Sequence, residues 1–264
     1  SIRRQRQMCI RDRSNADNLS DASAGSIFIT SAGSISTGGA AVILAGGDYN
    51  LTTGYARGYN TAAGASSTIF GDTAIDCAGV YIAGAINSAG GAITIRGQIG
   101  SGTADSSGAY IVANGALNSG NGSISITGFI GTDQTDTLRS HRAVRIGNGG
   151  TTPLPTITAT GSGSVSITAL APTGNGAQDA ALFEGGTISA VNGNISISAQ
   201  NSSGASVGIS FITANSSVST SGTGSISISS NTSINGDFFS SLSTLSAGGS
   251  VTISTARSLT LPCL

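Results

Sequence analysis

The 264-residue chain contains no Trp and no Lys, a single Glu (Glu184), a single His (His141) and four Pro. Charged residues make up 9% and aromatics 5%, where an ordinary soluble domain carries roughly 25% charged residues. One Glu and no Lys leave little material for acid–base catalysis. No apolar run approaches the roughly 20 residues of a membrane-spanning helix; the longest, "AAVILAGG" at 40–47, is far shorter. Of three cysteines, Cys9 and Cys263 sit near the ends, leaving Cys77 alone in the body. One thiol makes neither a disulfide nor a metal site, so Cys77 reads as a small buried apolar residue. What remains is 40 Gly, many Ser and Thr, and 38% hydrophobic residues. That apolar share is too large for a disordered linker, so a core is expected, built in thin layers of Ile, Val, Leu and Ala.

The charge is unevenly placed. All 11 basic residues are Arg, and five (Arg3, Arg4, Arg6, Arg11, Arg13) precede residue 14. Without residues 1–13, which also hold Asp12, the balance is 11 − 5 = 6 basic against 12 − 1 = 11 acidic, or −5. A basic arm ordinarily indicates nucleic acid or anionic lipid. Here "MCIRDR" (Met8–Arg13) matches what a transposon mosaic-end adapter would encode, and "PCL" (262–264) can be read from its reverse complement. Residues 1–13 are therefore expected to be non-native or disordered and residues 262–264 non-native, and no nucleic-acid partner is expected. Residues 14–261 are expected to form one domain, incomplete at both ends.

That domain is repetitive. "GAITIRG" at Gly91 returns as "GSISITG" at Gly122, "GSVSITA" at Gly163, "GNISISA" at Gly193, "GSISISS" at Gly224 and "GSVTIST" at Gly249. The second apolar residues are Ile95, Ile126, Ile167, Ile197, Ile228 and Ile253, spaced by 31, 41, 30, 31 and 25. Eight to ten residues upstream of each stands a second element, marked by Ile86, Leu117, Ile157, Ile188, Val218 and Leu245. A third lies before that: "GVYIAG", "GAYIVANG", "RAVRIGNG", "AALFEGG" and "VGISFITANS". An earlier copy places Ile35 nine residues before Leu44.

Each element alternates apolar and polar residues, the period of a strand with one buried face. Gly, Asn and Ser fall between elements, where corners need tight bending or positive φ. Short strands with few large side chains cannot fill a sandwich, but they can stack as rungs of a solenoid. Ile95, Ile126, Ile167, Ile197, Ile228 and Ile253 then form a core ladder with a step of about 4.8 Å. Extra residues in the Ile126–Ile167 interval ("TDQTDTLRSHRAVRI", "GGTTPLP") and across 48–72 read as two larger loops. Pro153 and Pro155 suit the first of these, since Pro is excluded from central strands.

The irregular "GsIsI…G" rung, with Ser, Thr, Asn and Gly outside and little Cys or charge, resembles filamentous haemagglutinin-like exoproteins, the two-partner-secretion adhesins, and related autotransporter passenger domains. The resemblance covers about Gly25 to Thr255. It implies a right-handed parallel β-helix (β-solenoid), rungs of about 30 residues being longer than the family's own. It also implies a secreted or surface-displayed bacterial adhesin, extracellular or on the outer cell surface. Its partner would be a glycan or protein of a host or neighbouring cell.

Two other functions share this fold. A polysaccharide-degrading enzyme on a pectin-lyase-like β-helix would need clustered carboxylates in a groove over several rungs. The acidic pairs Asp72/Asp76 and Asp133/Asp136 do not supply that, and no enzyme activity is expected. A passive stalk is the other. The one charge cluster of the body, Arg139, His141, Arg142 and Arg145 beside Asp133 and Asp136, reads as a solvated loop; as a candidate site it would bind an anionic glycan. Isolated Gly-Asp pairs are ordinary turns, and the tandem calcium-binding nonapeptide is absent, so neither metal nor cofactor is expected. Tyr81 and Tyr110 occupy matching places in adjacent repeats; a stacked pair inside the core is expected ahead of the alternative, stacked rings on an outer face that could contact glycans. Unpaired edges on the end rungs predict edge-to-edge self-association.

Overall fold

The computed structural model describes residues 10–14, 26–46, 54–57, 78–99, 106–130, 141–149, 151–171, 179–201, 207–212, 215–236 and 244–260. Cys77, Arg139 and the pairs Asp72/Asp76 and Asp133/Asp136 lie outside them. The described residues contain strands and turns but no helix, and hence no helix long and apolar enough to cross a membrane.

Strand β1 (Ile10–Ser14) is followed by a first rung of β2 (Ile27–Ile29), β3 (Ser34–Ser36) and β4 (Val42–Gly46). A two-residue strand, β5 (Ala56–Arg57), stands between rungs. The second rung is β6 (Val80–Ile82), β7 (Ala85–Asn87) and β8 (Ile93–Gln98). The third is β9 (Ser106–Ile111), β10 (Ala116–Asn118) and β11 (Ile124–Phe129). The fourth is β12 (His141–Gly147), β13 (Thr156–Ala159) and β14 (Val165–Ala171). The fifth is β15 (Asp179–Glu184), β16 (Gly186–Ala190) and β17 (Ile195–Asn201). The sixth is β18 (Val207–Phe211), β19 (Ser216–Thr220) and β20 (Ile226–Ser230). The seventh is β21 (Ser233–Gly236), β22 (Thr244–Ser246) and β23 (Val251–Thr255), after which β24 (Leu259–Thr260) opens another turn.

Every strand except β5 pairs in parallel with its counterpart one turn away, giving a parallel β-helix with three sheets. Sheet B holds the first strand of each rung, sheet C the second and sheet A the third. Seven complete rungs at about 4.8 Å each make a rod on the order of 30 Å long. β1 adds to the edge of sheet A beside β4 through backbone groups. Those groups are common to any sequence, so the pairing does not depend on what residues 10–14 encode.

The register is that of the repeat. Leu44, Ile95, Ile126, Ile167, Ile197, Ile228 and Ile253 stack as one column of sheet A. Ile35, Ile86, Leu117, Ile157, Ile188, Val218 and Leu245 stack on sheet C. From Leu44 to Ile228 the first column is at most 1% exposed. Ile253 departs from the expectation of full burial: it is only partly buried, and Val251 beside it is 43% exposed. A rung covered on one side leaves half of its apolar layer open.

The repeat glycines are explained by close approach. A Cβ on Gly122, Gly163, Gly193 or Gly224 would lie closer than 3.0 Å to the carbonyl of the preceding rung's glycine, so the corner stacks backbone on backbone. None of these four has positive φ, which corrects the part of the corner reading that invoked it for them. The residue after the glycine supplies the turn's hydrogen bonds. Ser123 Oγ accepts from Ser164 N–H at 3.1 Å, Ser164 Oγ from Asn194 N–H at 3.2 Å, and Asn194 Oδ1 from Ser225 N–H at 2.9 Å. Ser225 Oγ then accepts from Ser250 N–H at 3.1 Å. Side chains of one rung thus satisfy amides of the next, which a corner leaves outside the sheet ladders.

The larger insertion is tied down where it is described. β5 pairs with β8, and Tyr55 stacks on Phe129 with centroids 5.4 Å apart. Arg96 Cζ lies 4.4 Å from the Tyr55 ring centroid, a cation–π contact.

Candidate functional site

Sheets A and C turn mostly short hydroxyl side chains outward, such as Ser125, Ser166, Ser196, Ser227 and Thr252, in register on sheet A. Sheet B is different. In its register Phe28, Tyr81, Tyr110, Arg145, Leu182 and Ser210 fall in one column. The residues flanking each of them, such as Ile82, Ile111, Ile146 and Phe183, belong to the main core. Strand alternation therefore points this column away from the core. Tyr81 and Tyr110 meet edge to face with centroids 5.5 Å apart. They join Ala78, Ala83, Val112 and Ala113 in a separate cluster, which corrects their expected place in the core. Among the described residues, Phe183 and Phe211 stack in the interior at 4.4 Å.

Three of the four candidate residues come together on β12. The fourth, Arg139, lies outside the described residues. The expected solvated loop does not include His141, Arg142 or Arg145, because the strand already begins at His141. His141 is fully buried, so it cannot touch a ligand in this conformation. Ala143 and Val144 are consecutive and both lie in the core, so the chain bends between them. That bend breaks the period-2 pattern and hides the strand from the sequence. It occurs where sheets A and B close on each other: a Cβ on Gly128 would run into the Ala143 carbonyl, and one on Gly97 into that of Gly108.

Arg145 is held from three directions. Its Nε donates to Glu184 Oε2 at 2.5 Å and its Nη2 to Asn148 Oδ1 at 3.4 Å. Its Cζ lies 4.7 Å from the Tyr110 ring centroid. One rung on, Ser210 Oγ donates to Asp179 Oδ1 at 2.6 Å. Burial pushes the Asp179 carboxyl above the ordinary carboxylate range; the Ser210 bond and Arg142 pull it back, and Glu184 adds to the rise. The strip therefore spans three rungs, with Arg142 and Arg145 on the fourth, Asp179 and Glu184 on the fifth and Ser210 on the sixth. Chemically it is a half-buried, charge-compensated network that fixes the outer face of sheet B.

Asp179, Glu184 and Ser210 were not among the sequence candidates. A signal existed. Aligning "RAVRIG", "AALFEG" and "VGISF" on Ile146, Phe183 and Phe211 puts Leu182 and Ser210 over Arg145, and Glu184 over Gly147. Comparison of the chain with family models, curated proteins and solved structures finds no match.

Proposed function

We propose that the chain is a binding and structural segment of a secreted or surface-displayed bacterial adhesin, a stiff rod making many weak contacts with a surface glycan or protein. The observation that carries this reading is the register of sheets A and C, which runs without a shift through seven rungs, while sheet B slips once, between Val207 and Ile209. That register stiffens the rod along its length while sheet B turns Phe28, Tyr81, Tyr110 and Arg145 outward in one column. A rigid scaffold presenting one such face in many copies gains avidity without strong individual sites. Beads coated with the folded protein should be retained on glycan- or cell-protein-coated surfaces, more steeply than in proportion to coating density. Retention no better than that of beads coated with heat-unfolded chain would reduce the rod to a passive stalk.

A second reading, a polysaccharide-degrading enzyme, is favoured by the spread of charge over three rungs instead of one loop, and by the Asp179 carboxyl being inclined to hold its proton. Against it, Glu184 is engaged by Arg145, so the two carboxylates do not form an open acid–base pair. Release of reducing ends from polysaccharides, abolished by Asp179→Asn, would establish the enzyme and displace the adhesin.

A further inference from the structure

The corner between sheets B and C is uneven along the rod. Four residues (30–33) separate Ile29 from Ser34 in the first rung, and four (112–115) separate Ile111 from Ala116 in the third. In the second rung only Ala83 and Gly84 separate Ile82 from Ala85. Both long corners close with the same bond, Gly33 N–H to Thr30 C=O and Gly115 N–H to Val112 C=O, each 2.8 Å. The short corner between them leaves a notch of about 340 Å³.

Phe28 and Tyr81, both half-buried, stand beside the notch, with Ala83 also lining it. The exposed Thr30, Ser31 and Asn114 line its rim. Tyr81 is set between two rings, Phe28 at 6.1 Å and Tyr110 at 5.5 Å, and Tyr110 is in turn covered by the Arg145 guanidinium. Asn114 is positioned by its own N–H, which donates to Pro153 C=O at 3.0 Å in the next rung. The aromatic walls are thus fixed before any ligand arrives, which lowers the entropy cost of binding.

We infer that this notch binds a neutral pyranose sugar of a larger glycan. Its volume is at the small end of ligand pockets. Its lining joins two aromatic rings to two hydroxyls and an amide, matching the apolar C–H face and hydroxyl edge of a pyranose. Among the described residues no acidic or basic side chain lines it, so a charged sugar would lose its water without gaining a counter-charge from them. A purely apolar side chain would leave the rim groups unpaired. This assignment rests on the binding-rod reading and names its contact point. It moves the contact off the Arg142–Arg145 cluster, whose Arg145 is taken up by Glu184.

The test is a glycan array carrying neutral and acidic glycans, probed with the full chain and three variants whose folding is checked by far-UV circular dichroism. Neutral glycans should be retained by the parent chain and by Tyr81→Phe. Tyr81→Ala should weaken them on the order of tenfold, the loss of one buried ring contact, and Ala83→Leu, which fills the notch, should weaken them similarly. Binding unaffected by both Tyr81→Ala and Ala83→Leu would overturn the site while leaving the rod reading intact. Retention of acidic glycans alone would overturn the neutral-sugar assignment. Loss of all glycan binding alongside persistent bead adhesion to protein-coated surfaces would overturn this inference alone, and loss of both would overturn the two together.

Discussion

Truncating one ladder residue tests the stacked-rung account directly. Ile167 is fully buried and lies in register between Ile126 and Ile197. Ile167→Ala deletes three buried carbons, worth about 2.4 kcal/mol at about 0.8 kcal/mol each. The core on either side is held in rigid sheet register and collapses poorly, so a cavity term adds to this. The expected loss is about 3–4 kcal/mol, inside the roughly 2–5 kcal/mol range for such changes. Ile253 occupies the same place in the repeat but is only partly buried. Ile253→Ala should therefore cost about 1 kcal/mol, scaled down with the area removed from water. Urea titration followed by far-UV circular dichroism compares the two, read as midpoint shifts because repeat arrays need not unfold in one step. Equal shifts for both variants, or a loss below about 1 kcal/mol at Ile167, would refute the reasoning.

Further expectations follow from the corners and from sheet B. Gly193→Ala should destabilise by more than about 1 kcal/mol because its Cβ meets the Gly163 carbonyl. Gly38→Ala, with open space around the new Cβ and no positive φ, should stabilise by about 0.4–1 kcal/mol; thermal melts of both variants check this pair. Asp179 has a carboxyl raised by burial. The folded state therefore binds the extra proton, and stability should fall as pH rises from the ordinary value of 3.8 through the folded pKa. Asp179→Asn should flatten that slope and Ser210→Ala should move it to higher pH, both measured by urea midpoints across pH. Glu184→Ala, which strands Arg145 in a half-buried site, should cost about 1–3 kcal/mol. A double-mutant cycle with Arg145→Ala should show a coupling well above that of an exposed ion pair.

The ladders were legible because the sequence repeats in the period of the structure. Each "SISI" rung puts its isoleucines on one face, and a slip of one residue would turn them to solvent, so the register of sheets A and C could be read residue by residue. Sheet B resisted. Ala143 and Val144 both turn inward, so "HRAVRIG" lacks alternation and its arginines suggested a loop. Tyr81 and Tyr110 were correctly placed beside each other but on the wrong side, since ring size argues for burial and does not specify which side of the sheet provides it. The repeat glycines looked like turn formers, although they serve the contact of one backbone with the next, a relation no single rung displays. The notch is written as an absence: "YIAGAIN" lacks two residues present in "YIVANGALN", which shows only when the two are aligned on Ile82 and Ile111. Half-burial of Ile253 depends on what covers its rung, so its own repeat sequence does not reveal it.

The most direct test of the stacked-rung account is a distance along the rod. Thr94 and Thr252 lie in the same column of sheet A, linked through Ser125, Ser166, Ser196 and Ser227. Five steps of about 4.8 Å separate their backbones by about 24 Å, although 157 residues lie between them. With Cys9, Cys77 and Cys263 replaced by Ser, spin labels at Thr94→Cys and Thr252→Cys should give a narrow distance distribution near that value, broadened only by the label arms. A broad distribution, or one centred far from it, would contradict the solenoid and everything placed on its faces.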